Sequence, residues 1–161
     1  MNIHTKNISV VAVLVTIGII AGYIESFFNF IPISGVKMGL SNIVLLYCVY
    51  KCSFTETMVV ISLKSILNGI LFSGMMSILY SLTAGIISAC AMWLLVKYVD
   101  KISIYGISMC GSCIFNIVQF VVASIVFGNF IIMVNLWYVL PMSLVTGLVM
   151  GEIFRITFKG N

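Results

Sequence analysis

Long apolar runs, each closed by a few polar or small residues, dominate the chain. They divide into six stretches, approximately Ile8 to Phe28, Val36 to Tyr50, Thr57 to Met76, Ile78 to Val96, Ile104 to Phe127 and Ile131 to Phe154. A helix needs roughly 20 apolar residues to cross a hydrocarbon layer about 30 Å thick. The second run is short for that task and is expected to share its depth with the stretch before it. The alternating segments of a membrane β-strand are absent. The pattern therefore predicts an all-α polytopic membrane protein, a bundle of six transmembrane helices forming one integral membrane domain over residues 1–161.

Composition strengthens this reading. Hydrophobic residues make up 62% of the chain, charged residues only 7%, and the mean hydropathy is +1.25, beyond what a soluble core requires. The net charge of +4 comes from scattered basic residues, which argues against a nucleic-acid partner. Lys6, Lys51, Lys97, Lys101, Arg155 and Lys159 all fall at a terminus or in the second or fourth connection. With six spans those positions share one side, and the positive-inside bias makes that side cytoplasmic, both termini included. The first apolar run continues without a small-residue cleavage site, so no cleavable signal peptide is expected. Five cysteines in apolar helices do not make a disulfide framework.

The first connection, "YIESFFNFIPISGVKMGLSN", places Glu25, Pro32, Gly35 and Lys37 within thirteen residues of an otherwise apolar chain. Glu25 lies near the end of the first run and Lys37 opens the second. They could pair across the loop, or flank a cavity that opens outward. Pro32, Gly35 and Gly39 are placed to shape the chain's return. Inside the third run stands Lys64, about 10 Å from the cytoplasmic end at 1.5 Å per residue. An ionised side chain at the bilayer centre costs at least about 2.5–3.5 kcal/mol, so it needs a partner or a task. Snorkelling is one account. The other is a polar stripe facing the bundle, because Asn68 follows at i+4 with Ser65 and Gly69 beside it. Asn116 and Gln119 share a face of the fifth run at i, i+3. They could bond between helices or meet a ligand, and Asn42 would complete an amide cluster if the helices converge.

Small residues recur at four-residue spacing: Ser81, Gly85 and Ala89; Ser143, Gly147 and Gly151; Ala12 with Thr16; Gly18 with Gly22. Such stripes let helix backbones approach closely. Pro141 removes a helical hydrogen bond and is expected to kink the sixth helix. Enzyme signatures are missing. No phosphate-binding loop precedes Lys37 or Lys64, and Asp100 is the single aspartate, too few for a paired-carboxylate magnesium–diphosphate site. Cys110 and Cys113 lack a redox-fold context. Cys48 and Cys52 lack the further ligands zinc needs. Neither a catalytic residue nor a cofactor is expected.

Taken together, "YIESFFNFIPISGVKMGLSNIV", "SLTAGIISACAM", "GISMCGSCIFNIVQFVVAS" and "WYVLPMSLVTGLVMG" resemble the bacterial membrane proteins called heptaprenyl diphosphate synthase component I, or Gx transporters. That family is similar in size and helix count to the substrate-binding S components of energy-coupling factor (ECF) transporters. The resemblance implies a six-helix binder that captures a small molecule from outside, with a coupling protein and two ATPases as partners. It also implies docking of the coupling protein on small residues of helix 1, for which Ala12 and Thr16 are the nearest match. Family members often carry histidine where this chain has Phe115 and arginine where it has Lys64. Three functions follow as expectations. The first is uptake of a small anionic metabolite through Glu25, Lys37, Asn42, Lys64, Asn68, Asn116 and Gln119. The others are an accessory role to a polyprenyl diphosphate synthase, and proton-coupled transport through Glu25.

Overall fold

The computed structural model describes residues 3–27, 39–99 and 102–158, with side chains over 8–26, 39–99 and 102–157. Helix α1 runs Ile3–Phe27, α2 Asn42–Lys51, α3 Phe54–Asn68, α4 Met75–Tyr98, α5 Ile104–Phe127 and α6 Leu136–Phe158. No strand occurs among the described residues. Five spans are long and apolar enough to cross a membrane, whereas α2 has 10 residues and a length of about 15 Å. Large apolar side chains stay exposed along the bundle, among them Ile8, Val13, Ile20 and Ile24 on α1 and Val145, Val149 and Ile156 on α6. Water would not tolerate so continuous an apolar surface; lipid does.

Three boundaries differ from the sequence reading. Helix α2 starts at Asn42 rather than Val36, because Gly39 adopts φ +93° and its carbonyl accepts from Asn42 N at 3.0 Å in a tight turn. The third run leaves the α-helix after Asn68, widens into a π turn over Gly69–Ser73, and stops at Gly74, whose φ is +82°. The sixth begins as a 3-10 turn, Phe130–Asn135, after Gly128 closes α5 in the left-handed region. Pro141 lies within α6, which continues through it.

Contacts between named residues set the register. Gly147 and Gly151 of α6 face Met109 and Tyr105 of α5, and Gly111 of α5 faces Met92 of α4, so these three helices alternate in direction. Ser65 meets Ser81 at 3.3 Å and Gly85 meets Ile61, so α3 and α4 are antiparallel as well. By contrast α1 and α3 run parallel: Gly18 faces Lys64 and Gly22 faces Asn68. The apolar core joins Leu45, Leu46, Ile61, Met92, Ile107, Phe115 and Phe154, with a second cluster of Leu14, Val15, Val44, Cys48 and Val60. Lys51, Lys97 and Arg155 all sit in the last turns of α2, α4 and α6, at one end of the bundle. The opposite end, where α1 finishes and α2 begins, is called distal below.

Candidate functional site

Polar side chains that sequence placed on separate helices meet in the distal half. Lys64 is 2% exposed. Its stem crosses α1 at Gly18, where a Cβ would stand 2.6 Å from Cδ and 2.8 Å from Cγ, so only glycine leaves room for it. Its Nζ then donates to both the carbonyl and the hydroxyl oxygen of Ser41 at 3.2 Å and lies 6.0 Å from the Phe115 ring centre. That last distance is the outer reach of a cation–π contact. The lysine therefore does not snorkel: its charge is directed to the first residues before α2.

The amides gather around the same turn. Measured from the Cβ position of Gly39, Asn42 Nδ2 is 3.0 Å away and Asn116 Nδ2 3.6 Å away. Asn116 also donates to Ser112 O, one turn back on α5, at 3.1 Å. Gln119 is wholly buried three residues further along the same face. Both amide atoms of Asn42 are buried with no hydrogen-bond partner among the described residues, as is the hydroxyl of Ser112.

Glu25 closes the cluster from above. It is buried at the end of α1 and accepts a hydrogen bond from Leu40 N. The expected pairing of Glu25 with Lys37 falls outside the described residues, as do Pro32 and Gly35. Glu25 and Lys64 thus hold consecutive residues, Leu40 and Ser41, of the segment that leads into α2. Asn68 takes a packing role toward α1: Nδ2 donates to Gly18 O at 3.2 Å, and its amide fills the gap opposite Gly22. Ala12 and Thr16 point away from the bundle, the Thr16 hydroxyl donating to Ala12 O at 2.9 Å.

Two contributors were not anticipated. Ser41 supplies both acceptors of Lys64, and Tyr80 buries its hydroxyl without a partner among the described residues. Serine carried no signal, since helix serines in this chain commonly bond the preceding turn, as Ser62 does with Met58 O at 2.9 Å. The Gly18–Gly22 spacing did carry one, because it repeats the Lys64–Asn68 spacing that it accommodates.

The geometry defines a membrane helical bundle with a buried polar cluster near one end, built without a grouping of metal ligands among the described residues. The family model described as heptaprenyl diphosphate synthase component I matches residues 14–157, and the chain belongs to that family. No curated protein and no solved structure matches it.

Proposed function

We propose that the protein is a membrane-embedded binding component that captures a small anionic molecule in the distal cluster, in the manner of an ECF S component. One observation carries this reading: a buried lysine amine faces two oxygens of Ser41, beside an asparagine whose amide has no partner among the described residues. An anion's oxygens would take the place of the Ser41 oxygens at Nζ, and Asn42 and Asn116 would supply the neutral hydrogen bonds that fix its orientation. Charge-assisted bonds of this kind are about twice as strong as neutral ones. The basic-residue bias makes the termini cytoplasmic and the distal end external in the cell membrane.

Energy would come from a separate coupling protein and ATPases. The outward stripe of Ala12 and Thr16 on α1 supports such docking, since small residues permit close helix approach. Co-expression with a candidate coupling module tests it. A stable complex, together with loss of uptake of the bound anion on deletion of this protein, is the expected outcome. Absence of a complex, with uptake unchanged, would refute the partner reading.

Family membership favours a second reading, an accessory role in polyprenyl diphosphate synthesis in which Lys64 holds a diphosphate. Reconstitution with a polyprenyl diphosphate synthase distinguishes the two. Product chain length or yield that depends on this protein supports the accessory role, and indifference removes it.

A further inference from the structure

The buried charges of the distal cluster come as an opposite pair. Among the described residues, Glu25 at 5% exposure and Lys64 at 2% are the buried carboxyl and the buried amine. They reach the cluster from different helices, α1 and α3, yet arrive at consecutive residues. Glu25 Oε1 accepts from Leu40 N, and Lys64 Nζ donates to Ser41 O at 3.2 Å. An acidic group therefore stands one residue along the turn from a basic one.

That pairing bears on the charge of what can bind. A simple carboxylate brought to Lys64 would add a second negative charge near Glu25, and a surplus charge away from water is costly unless it is paired. A molecule that carries its own cation leaves the balance of the cluster unchanged. The amide of Asn42 fits such a molecule too. It is 3% exposed, and both its Nδ2 donor and its Oδ1 acceptor lack a hydrogen-bond partner among the described residues. A carboxylate can use the donor alone, whereas an ammonium, which only donates, uses the acceptor. The turn itself shows the spacing that the two charges accept. Glu25 holds an N–H and Lys64 holds a C=O, joined by the backbone of Leu40 and Ser41. The amine and the carboxyl carbon of 5-aminopentanoate are as many covalent bonds apart as Leu40 N and the Ser41 carbonyl carbon.

We infer that the ligand is a small zwitterion of the amino-acid type, its carboxylate at Lys64, its ammonium at Glu25 and Asn42 bonded to both ends. This rests on the binding role proposed above and narrows its anion to one that also carries an ammonium. The two ends of the ligand replace the Leu40 and Ser41 contacts, so each buried charge exchanges a neutral peptide group for a charged partner. Hydrogen bonds with an ionised group on both sides are shorter and stronger than those they displace.

The test titrates the full chain in lipid nanodiscs by calorimetry with 5-aminopentanoate, pentanoate and pentylamine, which share a carbon chain and differ in their charged ends. 5-Aminopentanoate should bind at least about tenfold tighter than either of the others, the gain from one hydrogen bond to a charged group. Glu25→Gln removes the charge and keeps a side-chain oxygen for Leu40 N. In that variant the preference should vanish, with 5-aminopentanoate weakened about tenfold and pentanoate bound more tightly. Lys64→Met should weaken both. Pentanoate binding the wild-type chain as tightly as 5-aminopentanoate would overturn the inference, and its loss in Lys64→Met would then leave the anion site standing. A preference for 5-aminopentanoate that survives in Glu25→Gln would overturn the inference as well. If none of the three binds in a Lys64-dependent manner, the proposed site falls with it. The wild-type comparison needs no variant, so it decides the matter even if Glu25→Gln does not fold.

Discussion

Replacing Lys64 by methionine separates a ligand role from a structural one, because its two effects on folding nearly cancel. The amine makes two hydrogen bonds at 3.2 Å to neutral oxygens of one residue, Ser41. Bonds to a charged group contribute about 1.5–3 kcal/mol each, and at this length the lower figure applies, giving about 3 kcal/mol for the two bonds to Ser41. Against this stands the cost of placing a lysine charge inside a membrane helix, about 2.5–3.5 kcal/mol. Methionine keeps the unbranched stem that threads past Gly18, so no cavity opens. Lys64→Met should therefore change stability by less than about 1 kcal/mol, read as reversible unfolding in mixed detergent micelles. Anion affinity, by contrast, loses a buried charge-assisted contact of about 2–5 kcal/mol, a drop of at least about 30-fold by calorimetry or native mass spectrometry. A variant that cannot be recovered folded would show that the amine is chiefly a strut. A folded variant that binds the same anion equally well would remove Lys64 from the site.

Asn42→Leu substitutes a side chain of the same shape for a buried amide that has no hydrogen-bond partner among the described residues. It should raise stability by about 1–2 kcal/mol while weakening anion binding in the same assays, and a loss of stability would refute the assignment. Gly147→Ala brings a Cβ to 2.7 Å from Met109 Cα and 3.1 Å from Ser108 O, atoms of the α5 backbone that cannot turn aside. Overpacking of about 3 kcal/mol less a helix-propensity gain of about 1 kcal/mol predicts a net loss near 2 kcal/mol. Gly106→Ala meets only the flexible Ile102 side chain at 3.2 Å, so it should gain about 0.5–1 kcal/mol; unfolding curves with equal midpoints would contradict both. Gly22→Ala sets a Cβ 2.1 Å from Asn68 Oδ1 and displaces that amide from Gly18 O. The lost bond, about 0.6–1.7 kcal/mol within a bilayer, should leave unfolding close to neutral after the propensity gain, with α1 more accessible to exchange near Gly18.

The sequence announced each helix through its apolar length and missed the ends where glycine decides. The apolar pattern puts the break after the third run at Met76 to Ile78, just beyond Gly74, whose φ of +82° ends the helix, and periodicity does not record a backbone angle. The same holds at Gly39, where a helix expected from Val36 starts at Asn42. Polar faces were legible within a helix, since Lys64 with Asn68 and Asn116 with Gln119 follow from spacing alone. Their meeting was not. Which face opposes which helix depends on α1 and α3 running parallel, and that arrangement comes from packing of non-neighbouring segments. Ser41 was invisible for a related reason: its carbonyl accepts from the lysine, and a backbone atom leaves no mark in residue type.

The two sides of the bundle are fastened by different means, which bears on where a ligand could be admitted. Helices α4, α5 and α6 meet through glycine: Gly147 and Gly151 press on α5 backbone, while Ser88 bonds Gly111 O at 2.8 Å. Contacts of that kind have no slack, since close-packed backbones cannot separate slightly without losing most of their dispersion energy. Helices α1 and α3 meet instead through the long side chains of Lys64 and Asn68 seated over Gly18 and Gly22. Those side chains have rotamers to exchange, so this seam could adjust while the glycine-packed side holds its shape. The Ser41 oxygens that an anion would replace belong to the segment that Glu25 and Lys64 tether. Admission of a ligand there would exchange polar contacts and a lysine rotamer rather than disrupt a glycine-packed helix interface. A cross-link between α4 and α5 should consequently leave anion binding intact, whereas one between α1 and α3 near Gly18 should abolish it; equal inhibition by both would defeat this division of the bundle.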